Sequence, residues 1–321
     1  MRIGFIGVGG IAQGHLRNLE AMEDVRIAAV CDLDPERLRQ AAERYGAAAY
    51  TDFDELLASE RLDGVYVCIP PFAHPAPERA AIERGIPVFI EKPVGLDLDA
   101  ARRVLDLCKQ KDALTAVGYQ WRYTGGIDRV LERVAQEPVG MVLGFRMGSL
   151  PATPWWRVKA KSGGQEVEQT THQFDLARYL AGEVEEVYAA QACRLLGDVP
   201  GFATHDVGAV TLKFKSGAVG NFASTCALGK TYRLGLTLVL KGLAIEIDKE
   251  GVHFVASRGA EEHIPAGSPN FEADRAFIHA IRTGDRSQIR CDYEEGVKTL
   301  ALTLAVNESA ERGVPVAPAA V

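Results

Sequence analysis

Two stretches of this chain carry side chains that can move protons, and a third has the shape of a phosphate cradle. In Glu168-x-x-x-His172-x-x-Asp175 an imidazole stands between two carboxylates. On one helix the i, i+4 and i, i+3 spacings put all three on adjoining parts of a single face. A histidine flanked in this way takes a proton near neutral pH, and its partners set its tautomer. Glu91-Lys92-Pro93 places an amine at the mouth of an apolar run, Ile86–Ile90. Partial burial there is expected to favour the neutral amine. Pro93 restricts Lys92 to extended geometry. The third stretch, Gly7-Val8-Gly9-Gly10-Ile11-Ala12, follows the apolar residues Ile3, Phe5 and Ile6 and leads into a helical pattern.

That third stretch reads as strand, glycine turn and helix, and its G-x-G-x-x-A spacing fits a dinucleotide-binding fingerprint. Gly7 allows the tight turn, Gly9 lets the backbone approach a pyrophosphate, and Ala12 lets the helix pack on the strand. Gly10 and Ile11 open the helix, whose N-terminal N–H groups suit phosphate. About 20 residues on, Val25–Val30 forms a second apolar run that ends at Cys31-Asp32. An acid at that place meets ribose hydroxyls and repels a 2′-phosphate, which favours NAD. Arg37 and Arg39 keep the NADP alternative open, and Arg37 joins the expected cofactor contacts.

The elements that must position these groups alternate. Helical patterns at Pro35–Tyr45, Phe53–Ala58, Pro75–Arg84 and Asp97–Lys109 are interleaved with apolar runs at Ala47–Tyr50, Leu62–Ile69, Ile86–Ile90 and Ala113–Gly118. Asp34, Asp52 and Asp97 stand where N-caps belong. Such alternation predicts a doubly wound parallel sheet, with ligands at the carboxyl ends of its strands. Gly7, Asp32, Pro70 and Glu91 all fall at those ends. From Glu183 onward strands dominate, at Val184–Cys193, Val207–Phe214, Ala218–Cys226, Arg233–Leu240, Ala244–Ile247 and Val252–Ala256. Their alternation predicts an antiparallel sheet with one covered and one open face. Helices at Phe271–Thr283 and Tyr293–Arg312 close the chain, and the Pro/Ala-rich tail Gly313–Val321 is expected to be mobile.

At this point the sequence resembles the Gfo/Idh/MocA oxidoreductase family, named for glucose–fructose oxidoreductase and inositol dehydrogenase. The resemblance is carried by Gly7-x-Gly9-x-x-Ala12, Pro70-x-x-x-His74, Glu91-Lys92-Pro93, Ser162-Gly163-Gly164 and the His172 motif, in that order, over nearly the whole chain. It implies an α/β Rossmann nucleotide-binding domain, residues 1–120. An α+β domain with a large, mainly antiparallel open-faced sheet follows, residues 121–321, for catalysis and dimerisation. It implies cofactor contacts from Pro70, His74, Glu91 and Lys92, and hydride transfer between NAD(P) and a carbinol or ketone of a sugar, cyclitol or related polyol. Lys92, His172 and Glu168 are the expected catalytic groups. Arg122, Trp156, Glu168, His172 and Asp175 join Lys92 around the substrate. Lys92 and His172 are expected to converge on one alcohol oxygen.

Alternatives stand beside several of these. Trp121 and Tyr123 suit packing at the domain junction, and Arg122 suits either role. Trp155 and Trp156 either pack a loop or leave one indole, assigned to Trp156, as a wall for the C–H face of a sugar. Glu168 stands where the family usually has Asp, one methylene shorter. A metal held by Glu168, His172 and Asp175 is compatible with the spacing, though the resemblance implies none. For the whole protein, an NAD-dependent glycoside hydrolase or lyase with transient substrate oxidation is the second reading. A non-catalytic NAD(P)-binding regulator is the third.

The composition sets the frame. A length of 321 residues suggests two domains, with 47% hydrophobic and 25% charged residues, as is ordinary for a globular protein. A net charge of −7 and no Lys/Arg run argue against a nucleic-acid partner. No apolar run is long enough to span a bilayer, so a membrane partner is not expected. The six cysteines form no C-x-x-C pair and read as buried thiols of a reducing, cytoplasmic compartment. His205, His253 and His263 are expected on the surface or in turns. The open sheet face needs a cover, and the resemblance implies a second copy of the sheet, so a homodimer or homotetramer is expected.

Overall fold

The computed structural model describes residues 1–257 and 261–321. The chain begins β1 (Arg2–Ile6), α1 (Ala12–Glu20), β2 (Arg26–Cys31), α2 (Pro35–Tyr45), β3 (Ala48–Tyr50), α3 (Phe53–Ser59) and β4 (Gly64–Val67). It continues α4 (Ala76–Glu83), β5 (Val88–Ile90), α5 (Leu98–Lys111), β6 (Thr115–Val117), α6 (Ile127–Gln136) and β7 (Met141–Met147). Then come α7 (Lys159–Ser162), α8 (Gln165–Glu168), α9 (Thr171–Ala181), β8 (Val184–Ala192), β9 (Val207–Phe214), β10 (Val219–Thr225) and β11 (Arg233–Leu240). The last elements are β12 (Leu243–Ile247), β13 (Gly251–Ala256), β14 (Glu262–Pro265), α10 (Pro269–Thr283) and α11 (Tyr293–Arg312).

Two compact units result: Met1–Gln120 with Asn270–Val297, and Trp121–Pro269 with Lys298–Val321. The sequence suggested one boundary, at 120. Contacts add Asn270–Val297 to the first unit, because the Phe277 ring of α10 packs edge-on against Tyr66 and at a steep tilt against Phe89.

The first unit is a six-stranded sheet in the order β3-β2-β1-β4-β5-β6, with every pairing parallel. Strands β4 and β5 are buried at every position, as a parallel sheet covered on both faces requires. Phe5, Tyr66 and Phe89 are in register on β1, β4 and β5 and stack at 4.9 and 4.7 Å between ring centres. The helices start where the sequence places their caps. Asp34 accepts from Glu36 N and Arg37 N, Asp52 from Asp54 N and Glu55 N, and Asp97 from Ala100 N. The strand order reverses between β1 and β4, so their carboxyl ends flank the crevice where such sheets take ligands.

The second unit is an eight-stranded sheet, β14-β13-β12-β11-β7-β10-β9-β8. It is antiparallel except for β7 and β10, which run parallel. Its covered face holds Val142, Leu212, Phe222, Leu236 and Leu238, with Phe174 of α9 stacked on Phe222 at 4.7 Å. Gly144 has no side chain because Phe222 occupies that space, 2.1 Å from where a Cβ would be. Toward one end this face turns polar. Gln191, Gly208, Ser224 and Arg146 are in register across β8, β9, β10 and β7. On the other face Met141, Val219 and Val239 form an exposed apolar row in register.

The tail differs from expectation: Val316 pairs with Val187 of β8 through two backbone hydrogen bonds of 2.8 and 2.9 Å. Among the described residues no helix is long and apolar enough to cross a membrane.

Candidate active site

The glycine turn is built from the strand outward. Gly7 has φ +87°, and a Cβ there would lie 2.3 Å from the Cys68 carbonyl oxygen at the end of β4. Only glycine fits both constraints. At Gly9 the first atom a Cβ would meet is Arg37 Nη1, at 3.9 Å, and at Gly10 nothing lies within 4 Å. Ile11, 51% exposed, opens α1 with no side-chain cap, and Ala12 is fully buried on the strand side. The result is an uncapped helix N-terminus below open space, the geometry that receives phosphate. Asp32 backs it: Oδ2 accepts from Val8 N at 2.8 Å and Oδ1 from Asp34 N at 2.9 Å. Arg37 pairs with Asp34 at 3.5 Å. The chain therefore fits a dinucleotide.

Around Lys92 the structure adds partners from afar. Glu91 accepts from the Lys92 backbone N–H at 3.2 Å and meets His15 Nε2 at 3.0 Å. His15 Nδ1 meets Asp274 of α10 at 2.6 Å, and Asn18 donates to the same carboxylate at 2.7 Å. Burial works against charge on His15, but the two carboxylates outweigh it and raise its pKa to about 10. Gly118 leaves room for this, since a Cβ there would lie 2.5 Å from Glu91 Oε1. Lys92 itself is half-buried. Pro70 leads into a 3-10 turn, Pro71–Ala73, and His74 then pairs with the fully buried Glu78. Glu91 and His74 are thus committed to side chains of their own unit.

In the second unit the expected continuous helix is interrupted. Helix α8 ends at Glu168, and α9 begins at Thr171. Thr170 N bonds Gln165 O at 2.9 Å, five residues back, and Gln173 N bonds Thr170 O at 3.0 Å. One wide turn and one tight turn re-register the ladder, so the helical spacing argument does not join Glu168 to His172. Glu168 Oε2 accepts from Trp156 Nε1 at 2.7 Å and also from the Gln169 amide. Asp175 is bidentate with Arg122, at 2.8 Å to both Nε and Nη2, and accepts from Thr299 at 2.9 Å. Arg122 stacks over Tyr179 at 4.5 Å.

Several expected substrate contacts are deeply enclosed here. Arg122 is 1% exposed, Asp175 0% and Trp156 1%. The Trp156 indole lies in a 3-10 turn, Pro154–Arg157, with its N–H spent on Glu168, while Trp155 is half-buried. His172 contrasts with them. From Thr170 to Arg178 it alone is not fully buried.

Sequence reasoning missed a second buried network. Glu166 meets His205 Nε2 and accepts from Ser224 at 2.6 Å and Gln191 at 2.9 Å. Burial pushes the Glu166 carboxyl up, yet the charge and hydrogen bond of His205, with that of Ser224, hold it below its ordinary value. A Cβ at Gly208 would lie 2.2 Å from Glu166 Oε1. His205, expected on the surface or in a turn, lies in the connection before β9 but is buried, because it answers this carboxylate. Cys193 also departs from expectation. It is exposed, at the strand end where Asp206 accepts from the N–H groups of Arg194, Leu195 and Leu196. Arg146, unremarked in the sequence, reaches Gln169 from β7. Among the described residues no group of three or more His, Cys, Asp or Glu is placed to hold a metal ion.

A doubly wound parallel sheet with a glycine-lined helix N-terminus defines a dinucleotide-binding protein. Comparison with known proteins agrees. The profile described as an oxidoreductase family with an NAD-binding Rossmann fold matches residues 1–119, and the GFO/IDH/MocA C-terminal domain matches residues 129–246. A myo-inositol 2-dehydrogenase of Thermotoga maritima is 34% identical, over 97% of this chain and 96% of that protein. Among solved structures, the WlbA dehydrogenase of Bordetella pertussis, in complex with NADH and UDP-GlcNAcA, superposes with a TM-score of 0.85 at 23% identity, covering 100% and 99% of the two chains. A levoglucosan dehydrogenase in complex with NADH and L-sorbose reaches a TM-score of 0.89 at 20% identity, again over 100% and 99%. The chain belongs to the Gfo/Idh/MocA oxidoreductase family, and residues 1–119 are the family's NAD-binding domain.

Proposed function

We propose that this enzyme transfers a hydride between NAD and a secondary alcohol or ketone of a sugar, cyclitol or related polyol. The observation that carries this reading is His172, the one incompletely buried side chain between Thr170 and Arg178. The named activity of the Thermotoga maritima relative supports the substrate class. NAD, when bound, supplies the hydride acceptor. Backbone N–H groups of Gly9, Gly10 and Ile11 hold its pyrophosphate. Gly7 and Ala12 shape the turn, and Asp32 accepts ribose hydroxyls. Arg37 stands beside Gly9, and Pro70, His74 and Glu91 fix the segments around the coenzyme.

In this reading His172 is the base for the hydroxyl proton, and Lys92 is a hydrogen-bond donor for charge that develops during the reaction. Glu168, steadied by Trp156, binds a neighbouring hydroxyl. Arg122 and Asp175 act as positioning residues, locking α9 from beneath. The protein works in the cytoplasm as a homodimer or homotetramer, joined through the Met141–Val219–Val239 face. Light scattering on the wild type and on Val219→Lys tests the assembly, with a shift toward monomer expected in the variant.

The activity is tested with a panel of cyclitols, aldoses and sugar acids, each with NAD and with NADP, read by absorbance of the reduced nicotinamide. NAD-dependent turnover of at least one polyol is expected. Product release with tightly held NAD and no net reduction would replace this reading with transient oxidation followed by elimination or hydrolysis.

A further inference from the structure

Arg146 is a cation at the polar end of the covered sheet face, without a counter-charge in contact among the described residues. It lies on the covered face of the sheet, on the same side of β7 as Val142 and Gly144. The adjoining positions of the polar row are Ser224, Gly208 and Gln191. Glu166, which reaches into that row, is already engaged by His205, Ser224 and Gln191. Arg146 donates from Nη2 to the side-chain oxygen of Gln169, a neutral amide. Among the described residues it forms no ion pair, and no acceptor takes its Nε or Nη1. Burial pushes the guanidinium below its ordinary value, and the charge of Glu168 pulls it only partly back. The backbone makes way for it: a Cβ at Gly148 would lie 2.5 Å from Arg146 Nη1.

A guanidinium desolvated at a cost, with donors unspent and its neighbours cleared, is set to receive a planar anion. The bland alternative is a structural arginine closed by its own protein. Such arginines in this unit look different: Arg122 is bidentate to Asp175, and Arg178 pairs with Glu183. Gln169 links Arg146 to Glu168 and lies three residues before His172. The anion site and the reactive imidazole therefore share one short segment.

We propose that Arg146 recognises a carboxylate on the substrate, so that the preferred substrates are polyhydroxy acids, such as aldonic or uronic acids, over neutral polyols. This rests on the oxidoreductase reading and narrows it. Gln169 steers the guanidinium, and Glu168, held on Trp156, faces the hydroxyl-bearing part of the molecule.

The test compares D-gluconate with D-glucitol and D-glucuronate with D-glucose, using wild type, Arg146→Gln and Arg146→Lys. Two readouts are taken: NAD reduction, and heat of ligand binding by titration calorimetry. Wild type is expected to favour the acids by roughly 100-fold in kcat/KM, the order of one hydrogen-bonded contact to a charged group. Arg146→Gln should collapse that ratio toward one and abolish the binding heat of the acids. Arg146→Lys should keep part of both. Equal wild-type handling of acid and neutral partners overturns the proposal. So does an Arg146→Gln protein, folded by circular dichroism, that still prefers the acids. If no compound is turned over, the oxidoreductase reading fails separately, and calorimetry still decides whether acid binding depends on Arg146.

Discussion

Each unit keeps a buried carboxylate beside its reactive stretch, and each answers it with a histidine, but the two are balanced differently. In the first unit His15 stands between two acids, Asp274 and Glu91, and is held as a cation. In the second, Glu166 is one acid served by His205 and by the neutral donors Ser224 and Gln191. Glu91 hands its stabilisation directly to Lys92 through a backbone hydrogen bond. Glu166 lies two residues before Glu168, in a turn that ends where the helix breaks. A network with two acids and one cation depends on the charge of the histidine. A network with one acid and three donors depends on the acid.

The comparison breaks most visibly if the central residues are removed. His15→Ala strands two buried carboxylates and should cost the most in urea unfolding, on the order of 3–5 kcal/mol. Glu166→Ala strands polar donors rather than two like charges and should cost less; the reverse order would refute the charge account. The pH limbs sharpen it. The folded pKa of His15, about 10, lies above its ordinary 6.5. Its contribution is therefore complete below 6.5 and is lost as pH rises through 10. Glu166 is held below its ordinary 4.5, so its contribution is present above 4.5 and is lost as pH falls through the lowered value. Melting curves across pH should show His15→Gln flattening the alkaline limb and Glu166→Gln the acid limb. Gly118→Ala and Gly208→Ala each drive a Cβ into one of these carboxylates and should cost about 1–3 kcal/mol. The smallest effect is Ser224→Ala, one hydrogen bond to Glu166, about 1 kcal/mol by the same melts.

What the sequence disclosed was what is local. The glycine turn, Asp32 and the helix caps Asp34, Asp52 and Asp97 announce themselves within a few residues, because their physics is settled by near neighbours. The alternation of β4 and β5 with their helices was equally plain, since a strand buried on both faces must be apolar throughout. Glu91, by contrast, gained partners 76 residues back and, through His15, 183 residues on. No spacing rule reaches that far. A hint was present at His15, on the same buried side of α1 as Ala12 and Leu19. The break after Glu168 was hidden because Gln169-Thr170 has no Gly or Pro to mark it. Arg146 carries no motif around it in the sequence, and only its register with Ser224 and Gly208 shows that it faces inward.

The account stands most directly on the rate of hydride transfer in Lys92→Ala and His172→Ala, measured in single turnovers alongside NADH binding by fluorescence. Each variant should still bind the coenzyme and lose roughly 10²–10⁴-fold in rate, the range of a missing proton-handling group. A wild-type rate in either variant would contradict it.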